Sequence, residues 1–471
     1  MRMRPLPLLT ALLASLALAG AAAGMLLPPQ AETEGSAGAA AKGASAPVFL
    51  LQGAGWGHGV GLSQWGAFAQ ARAGRSAADI LAFYYPGTTQ GRVPATTVRV
   101  LLRPAAPRVI VSSTAPFSVR DAGGATHSVS GPLALDPSLT LDVDGAPTPL
   151  AGPLTISPAA GALLSLAGKP YRGRLQVSST GSALEVVDVV GLEAYLRGVV
   201  PGEMPRTWPA AALQAQAIAA RSYTLASRVE GRAWDVFPDG RSQQYLGAAA
   251  ETPETTAAVA ATAGVVLLYG GSVATTFYSA SSGGRTAAGS EAFGVDVPYL
   301  PSQPDPWDAG SPFHAWKPRT YTGQQLAAGL GLHAPVVDVQ ARLTASSRVA
   351  SLLVTAADGT TLGITGAEAR RRLGLRSTAF RLGTLRFVTP PSPTSAGVPV
   401  RLSGVARDVA PALLERLGHD GSWVAVVRRL RVAADGTFAT VVRPAETTTY
   451  RLSAAGLPGP TITIPVVEAP A

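Results

Sequence analysis

The sequence predicts an α+β protein: a mixed, strand-rich domain with a helical segment inside it, followed by a C-terminal all-β, sandwich-like module. Three observations predict this. Short alternating runs fill residues 96–190, among them Thr97-Val98-Arg99-Val100-Leu101-Leu102 and Ser182-Ala183-Leu184-Glu185-Val186-Val187, with glycine and proline between them as turn signals. From 191 to about 265 the apolar spacing becomes helical. Beyond a proline-rich stretch, short β runs return at 400–402, 423–432, 437–442, 449–452 and 461–467, the spacing of a small sandwich. The 471 residues favour about three domains at roughly 150 residues each. With 47% hydrophobic against 14% charged residues, the chain has the apolar surface to bury real cores.

The N-terminus reads as an address. Arg2 and Arg4 precede an uncharged apolar stretch from Leu6 to Ala19, and Ala17, Ala19, Ala21 and Ala23 offer small-x-small cleavage sites, so residues 1–23 are a secretory signal peptide. An uncleaved membrane anchor is the alternative, because the apolar run reaches Leu27, but Gly20 and Gly24 interrupt it. No later stretch looks transmembrane. Residues 24–48, rich in Ala, Gly and Ser, are a flexible tether, and the expected mature protein is exported to the cell surface. Loss of Arg2 and Arg4 lowers the formal charge from +9 to +7, so the exported chain stays basic and suits an anionic neighbourhood.

A large domain is expected over 49–388. It opens on Gly53-Ala54-Gly55-Trp56-Gly57-His58-Gly59-Val60-Gly61-Leu62-Ser63-Gln64-Trp65. Glycine at every second position is no strand core; it allows positive φ or a close approach to the backbone. His58 and Gln64 among Trp56 and Trp65 combine polar and flat aromatic groups, which suits sugar rings; the other reading has His58 locking the loop through backbone hydrogen bonds. Ser63 can cap one helix and Ser76-x-x-Asp79 the next, which Pro86-Gly87 stops. Later, Thr365-x-x-Glu368 has the form of a capping box.

Glu203 is the foremost catalytic candidate. It stands between Pro201-Gly202 and Met204-Pro205, in what reads as a tight turn between two helices. The prolines fix its backbone, and Met204 and Trp208 offer apolar cover that raises a carboxyl pKa toward that of a general acid. Alternatively it is a charge favouring the N-terminus of the helix that follows. That helix, 209–229, carries Arg221, which either turns inward to orient Glu203 or a ligand, or faces solvent. A third block, Phe277-Tyr278-Ser279-Ala280-Ser281-Ser282-Gly283-Gly284-Arg285-Thr286, reads as a polar binding wall through Tyr278, Ser282 and Arg285, or as plain turn chemistry.

Several classes are excluded. With no cysteine there are no disulfides, thiol nucleophiles or cysteine-ligated metals, and the five histidines (58, 127, 314, 333, 419) lack metal-ligand spacing, so no metal or cofactor is expected. A serine hydrolase would need Gly-x-Ser-x-Gly, which the serine-rich block lacks. Scattered arginines without interleaved aromatics give no nucleic-acid surface. The proline-rich segment 389–397 reads as a stiff linker to an accessory module at 398–471.

Taken together the blocks resemble the SpoIID/LytB family of bacterial cell-wall proteins. The likeness rests on Leu192 to Pro205 with Trp208-Pro209 and Ala219-Ala220-Arg221-Ser222-Tyr223, on Gln243 to Gly247, on Tyr278 to Thr286, on Leu373-Gly374-Leu375-Arg376-Ser377-Thr378, and on the Gly-Trp-Gly-His block with Tyr84-Tyr85-Pro86-Gly87-Thr88. It covers residues 49–387. The resemblance implies a peptidoglycan lytic transglycosylase acting on glycan strands stripped of stem peptides, with the family's catalytic glutamate at Glu203; other members enhance wall amidases, which makes a cell-wall amidase a possible partner. Two departures stand out. The Gly-Trp-Gly-His block comes first here rather than last as in the sporulation members, and the cysteines through which some relatives bind zinc are absent.

Overall fold

The computed structural model describes residues 45–467, apart from 144, 230, 295 and 389–391. The expected signal peptide, most of the tether and the prolines at 390 and 391 lie outside the described residues. About 40% of the described residues are strand and 20% helix, a mixed α+β composition. The described residues form two compact units, one built from 61–278 and 297–300, the other from the rest.

In the first unit an antiparallel six-stranded sheet has the order Thr97–Ala106, Leu184–Gly191, Arg174–Ser179, Leu154–Pro158, Phe117–Arg120, Thr126–Val129. Its strands alternate as the sequence does: Val98, Val100, Leu175, Val177, Leu184 and Val186 are fully buried, with polar residues between them. Five helices accompany the sheets: α1 (Gln64–Arg72), α2 (Ala77–Tyr84), α3 (Leu192–Glu203), α4 (Ala210–Ala226) and α5 (Pro253–Ala261). α4 is the hub, with α1, α2, α3 and α5 all packed against it. Its sequence explains this. Ala212, Ala215, Ala217, Ala219 and Ala220 are buried right around the helix, and so little side chain lets neighbours approach from every side.

The caps follow the local chemistry. Ser63 accepts the Gly66 N–H at 3.2 Å, and Ser76 with Asp79 forms a complete capping box. The Thr365 box is only half made. Thr365 accepts the Glu368 N–H, but the Glu368 carboxylate turns to Arg371 and Arg372, because two guanidinium groups hold it better than one backbone amide. Glu203 differs too: it closes α3 rather than sitting in a turn. Pro201 falls in the last turn, where its missing N–H costs one hydrogen bond, and the helix stops because Met204 precedes Pro205 and is forced to an extended φ/ψ of −131°, 142°.

In the second unit, a five-stranded sheet has the order Arg319–Thr322, Val48–Gly53, Phe380–Phe387, Val400–Arg407, Thr437–Val442. Both of its faces are covered along Val48–Gly53 and Phe380–Phe387. Phe49, Leu51, Phe380 and Leu382 join one core with Leu326, Val336 and Leu352; Leu50, Leu385 and Phe387 join another with Leu402, Leu414, Tyr450, Leu452 and Ile464. The second core is shared with a four-stranded sheet, Trp423–Val427, Ala412–Leu417, Thr448–Ala454, Leu457–Ile464. Among the described residues, no helix is long and apolar enough to cross a membrane.

Candidate active site

The site in the first unit begins with two glycines one turn apart on α3. A Cβ on Gly198 would stand 2.7 Å from the Tyr245 ring, and one on Gly202 would stand 2.7 Å from the Gln244 carbonyl oxygen. Their bare flank lets the segment 243–247 lie against the helix, where the Leu246 N–H donates to the Gly198 carbonyl at 3.0 Å. In that position the Gln244 N–H reaches Glu203 and donates to its Oε1 at 2.8 Å.

The other carboxylate oxygen faces α1. Gln64 at its N-terminus is buried, and its Nε2 lies 3.4 Å from Glu203 Oε2 and 3.4 Å from Gln216 Oε1 on α4. The Tyr278 hydroxyl lies beside the carboxylate. Tyr278 donates at 2.8 Å to Gln243 Oε1, and the Gln243 amide group donates in turn to Thr224 Oγ1 at 2.7 Å and Tyr195 Oη at 3.2 Å. Glu203 therefore stands beside a chain of uncharged hydrogen-bonding groups, of which Gln243, Thr224 and Tyr195 are buried.

Burial pushes the Glu203 carboxyl above its ordinary range, against the lowering effect of the bonds from Gln244 and Gln64. Its place at the C-terminus of α3 works in the same direction as burial, since that end of a helix repels negative charge. Burial also raises the phenols of Tyr195, Tyr223 and Tyr278, and the nearby Glu203 charge adds to each shift. They remain neutral donors at any ordinary pH. Beside Gln64, Trp65 packs against Trp208 at 5.0 Å between centroids, and Phe68 against the same indole at 4.9 Å; all three are half-buried. Met204 is buried at the helix end. The arrangement can hold a proton on one carboxylate beside partly open aromatic faces.

Arg221 goes elsewhere. Fully buried, it pairs with Glu193 in bidentate fashion, Nε to Oε1 at 2.9 Å and Nη2 to Oε2 at 2.7 Å, and donates to the Val265 carbonyl at 3.0 Å. Glu193 also accepts the Gly264 N–H at 3.1 Å. The guanidinium thus ties α3, α4 and the strand Val265–Tyr269 together.

His58, Ser282 and Arg285 belong to the second unit. His58 Nδ1 accepts the Val60 N–H at 3.0 Å, and its ring meets Phe293 edge-on at 5.2 Å. Ser282 is buried and donates to Asp305 Oδ2 at 2.8 Å; Arg285 is exposed, 3.5 Å from Ser302 Oγ. Around them lies a network absent from the sequence-based candidates. The buried Asp308 accepts from Ser281 Oγ at 2.8 Å and from the N–H groups of Ser282 and Gly283, both at 3.1 Å, with His314 Nδ1 at 3.2 Å. The order is serine, carboxylate, histidine: the serine hydroxyl donates a hydrogen bond to the carboxylate and keeps its proton, and the histidine meets the carboxylate rather than the hydroxyl, which is not the nucleophile–base order of a triad. Gly59, at φ +78°, lacks a side chain because the Arg348 guanidinium lies against it; Arg348 Nη2 donates to the Ser282 carbonyl at 3.0 Å.

Gln243, Gln244 and Gln216 were missed as site residues. The first two lie within the quoted 243–247 block, whose adjacent amides ahead of Tyr245 and Gly247 were the available signal; Gln216 gives none, being one polar residue in an alanine-rich helix.

Comparison with known proteins bears on the same region. Residues 180–269, which include Glu203, Arg221 and Gln243, match the family model described as SpoIID, stage II sporulation protein. Stage II sporulation protein D of Bacillus subtilis (strain 168) is 29% identical over 216 residues, 42% of this chain and 62% of that protein. The amidase enhancer of the same organism is 58% identical over 41 residues, 9% of this chain and 6% of that protein. The chain therefore spans less than two thirds of either relative.

Proposed function

We propose that the chain, whose segment 180–269 matches the SpoIID family model, is an exported peptidoglycan-remodelling protein and that Glu203 is the single acid/base of a lytic transglycosylase. The observation that carries this reading is a half-buried carboxylate, raised by desolvation and held from two sides by the Gln244 N–H and the Gln64 amide. Ordinary glycosidases need a second carboxylate across the scissile bond. A lytic transglycosylase needs one. Protonated Glu203 gives its proton to the glycosidic oxygen as the C1–O bond breaks; the resulting carboxylate takes the proton of the muramic acid 6-hydroxyl, whose oxygen bonds to C1 as a 1,6-anhydro ring. The proton is returned to Glu203 and no water is consumed. A carboxyl lifted toward neutrality serves both half-steps.

Under this proposal Gln64 and Tyr278 position the carboxylate, and the Trp65 and Trp208 faces receive sugar rings. His58, Ser282 and Arg285 are proposed glycan contacts of the second unit. Arg221 acts by holding α3 and α4 in register. The signal peptide places the protein outside the membrane, and residues 398–471 form a sandwich-like accessory module. Glu203→Gln tests the catalytic role: it should abolish release of glycan fragments while pull-down on glycan strands persists. Release at the wild-type rate would sink the assignment.

The likeness to an amidase enhancer favours a second reading, a glycan-binding factor that stimulates a wall amidase without cleaving. Under it, Glu203→Gln would stimulate an amidase as well as the wild type does, and neither form would release fragments.

A further inference from the structure

Away from Glu203, the second unit carries a shallow cleft of about 710 Å³ on the five-stranded sheet. Alternation along the strands explains its lining. Leu402, Ala406, Phe438 and Val442 face the core, so Arg401, Ser403, Val405, Thr437 and Ala439 fall on the opposite face. Arg386 from Phe380–Phe387 and Arg431 beside the sheet complete the cleft.

Three arginines from three separate segments thus meet over a floor of small apolar and hydroxyl side chains. No acidic residue lines the cleft, and none of the three guanidinium groups is in an ion pair among the described residues. This is unlike Arg407, on the same strand as Arg401, whose charge is met by Asp338 at 2.6 Å. Arg386 is half-buried, and its Nε is shut away from solvent with no hydrogen-bond partner among the described residues. Arg386 nevertheless lines the cleft, where an oxyanion can bond its guanidinium.

We infer that this cleft binds an anionic polymer, one bearing an oxyanion on each repeat, through Arg386, Arg401 and Arg431. Guanidinium forks match carboxylate and phosphate alike, and Val405, Ala433 and Ala439 accommodate the apolar part of the repeat. The cleft would anchor the protein on a surface polyanion independently of what Glu203 does.

The test uses the full exported chain and three fluorescent oligomers: oligo(glycerol phosphate), oligogalacturonate and neutral dextran. At least one acidic oligomer should bind and weaken with added salt, and dextran should not bind; which acidic oligomer binds identifies the oxyanion. Arg401 and Arg431 are exposed, so R401Q/R431Q should fold normally and bind about tenfold more weakly or worse. R386K, which keeps the charge but loses the guanidinium fork, should weaken binding less than R401Q/R431Q does, yet measurably. R108Q/R120Q/R174Q, which removes more charge from exposed sites of the first unit, should leave binding within about twofold. Equal weakening by that control, equal binding of dextran, or no binding of either acidic oligomer would overturn the inference.

Discussion

A carboxylate raised in the folded state holds its proton more tightly there than in the unfolded chain, so its burial weakens the fold as pH rises above the ordinary carboxyl range. For Glu203 that range centres on 4.5. Glu203→Gln, which cannot ionise, should therefore gain in Tm relative to wild type as pH is raised through the window above 4.5, and show little difference below it. An unchanged difference across that window would mean the carboxylate is not desolvated. Asp188 is a stronger case: fully buried, pushed by desolvation from 3.8 to about 8, and bonded by the Tyr245 hydroxyl at 2.8 Å. Asp188→Asn should lose its disadvantage and then stabilise as pH approaches 8. The Arg221 pair makes a third prediction. Removing Glu193 strands a fully buried cation, whereas removing Arg221 leaves a carboxylate that is 37% exposed and can reach water. Glu193→Gln should cost about 3 kcal/mol in chemical denaturation, and more than Arg221→Met. The sequence left Arg221 open between an inward and a solvent-facing role. Its partner lies 28 residues away on another helix, and no periodicity within α4 reveals a pairing of that kind.

The element that carries the site is the C-terminal half of α3. Gly198 and Gly202 leave a bare flank for the segment 243–247, and that segment supplies the amide that holds Glu203. Gly202→Ala should push the segment away, cost about 1–3 kcal/mol and lower glycan cleavage by more than tenfold. Gly191→Ala, at the start of the same helix with open space around it, should do neither. Equal effects of the two would show that helix propensity, not docking, governs the loss. At this scale the sequence was most readable. The Ser63 and Ser76 caps are local chemistry and form as read, and the expected helix 209–229 is observed at Ala210–Ala226. Glu203 reads from the sequence as part of a tight turn because prolines flank it on both sides; only Pro205 acts as the stop, through Met204. The Asp308 network was invisible because its serines, carboxylate and histidine come from two loops joined by tertiary folding.

At the scale of the molecule, the strand Val400–Arg407 pairs with Phe380–Phe387, and Leu50, Leu385 and Phe387 share a core with residues beyond 400. Truncation after 388 should therefore expose a strand edge and that core, and yield a product of lower Tm that aggregates. A soluble, equally stable truncation would contradict the shared core. A sandwich-like spacing of β runs was legible in the sequence; that two of its strands, Val400–Arg407 and Thr437–Val442, extend a sheet begun at Val48–Gly53 was not, because strand pairing across more than 300 residues leaves no local pattern. The account as a whole turns on whether Glu203 performs the transfer. The most direct measurement is product analysis by mass spectrometry after incubating the mature protein, and its Glu203→Gln form, with glycan strands stripped of stem peptides. The account predicts 1,6-anhydromuramyl ends from the wild type and none from the variant. Hydrolysed, reducing ends from the wild type, or anhydro ends from both proteins, would contradict it.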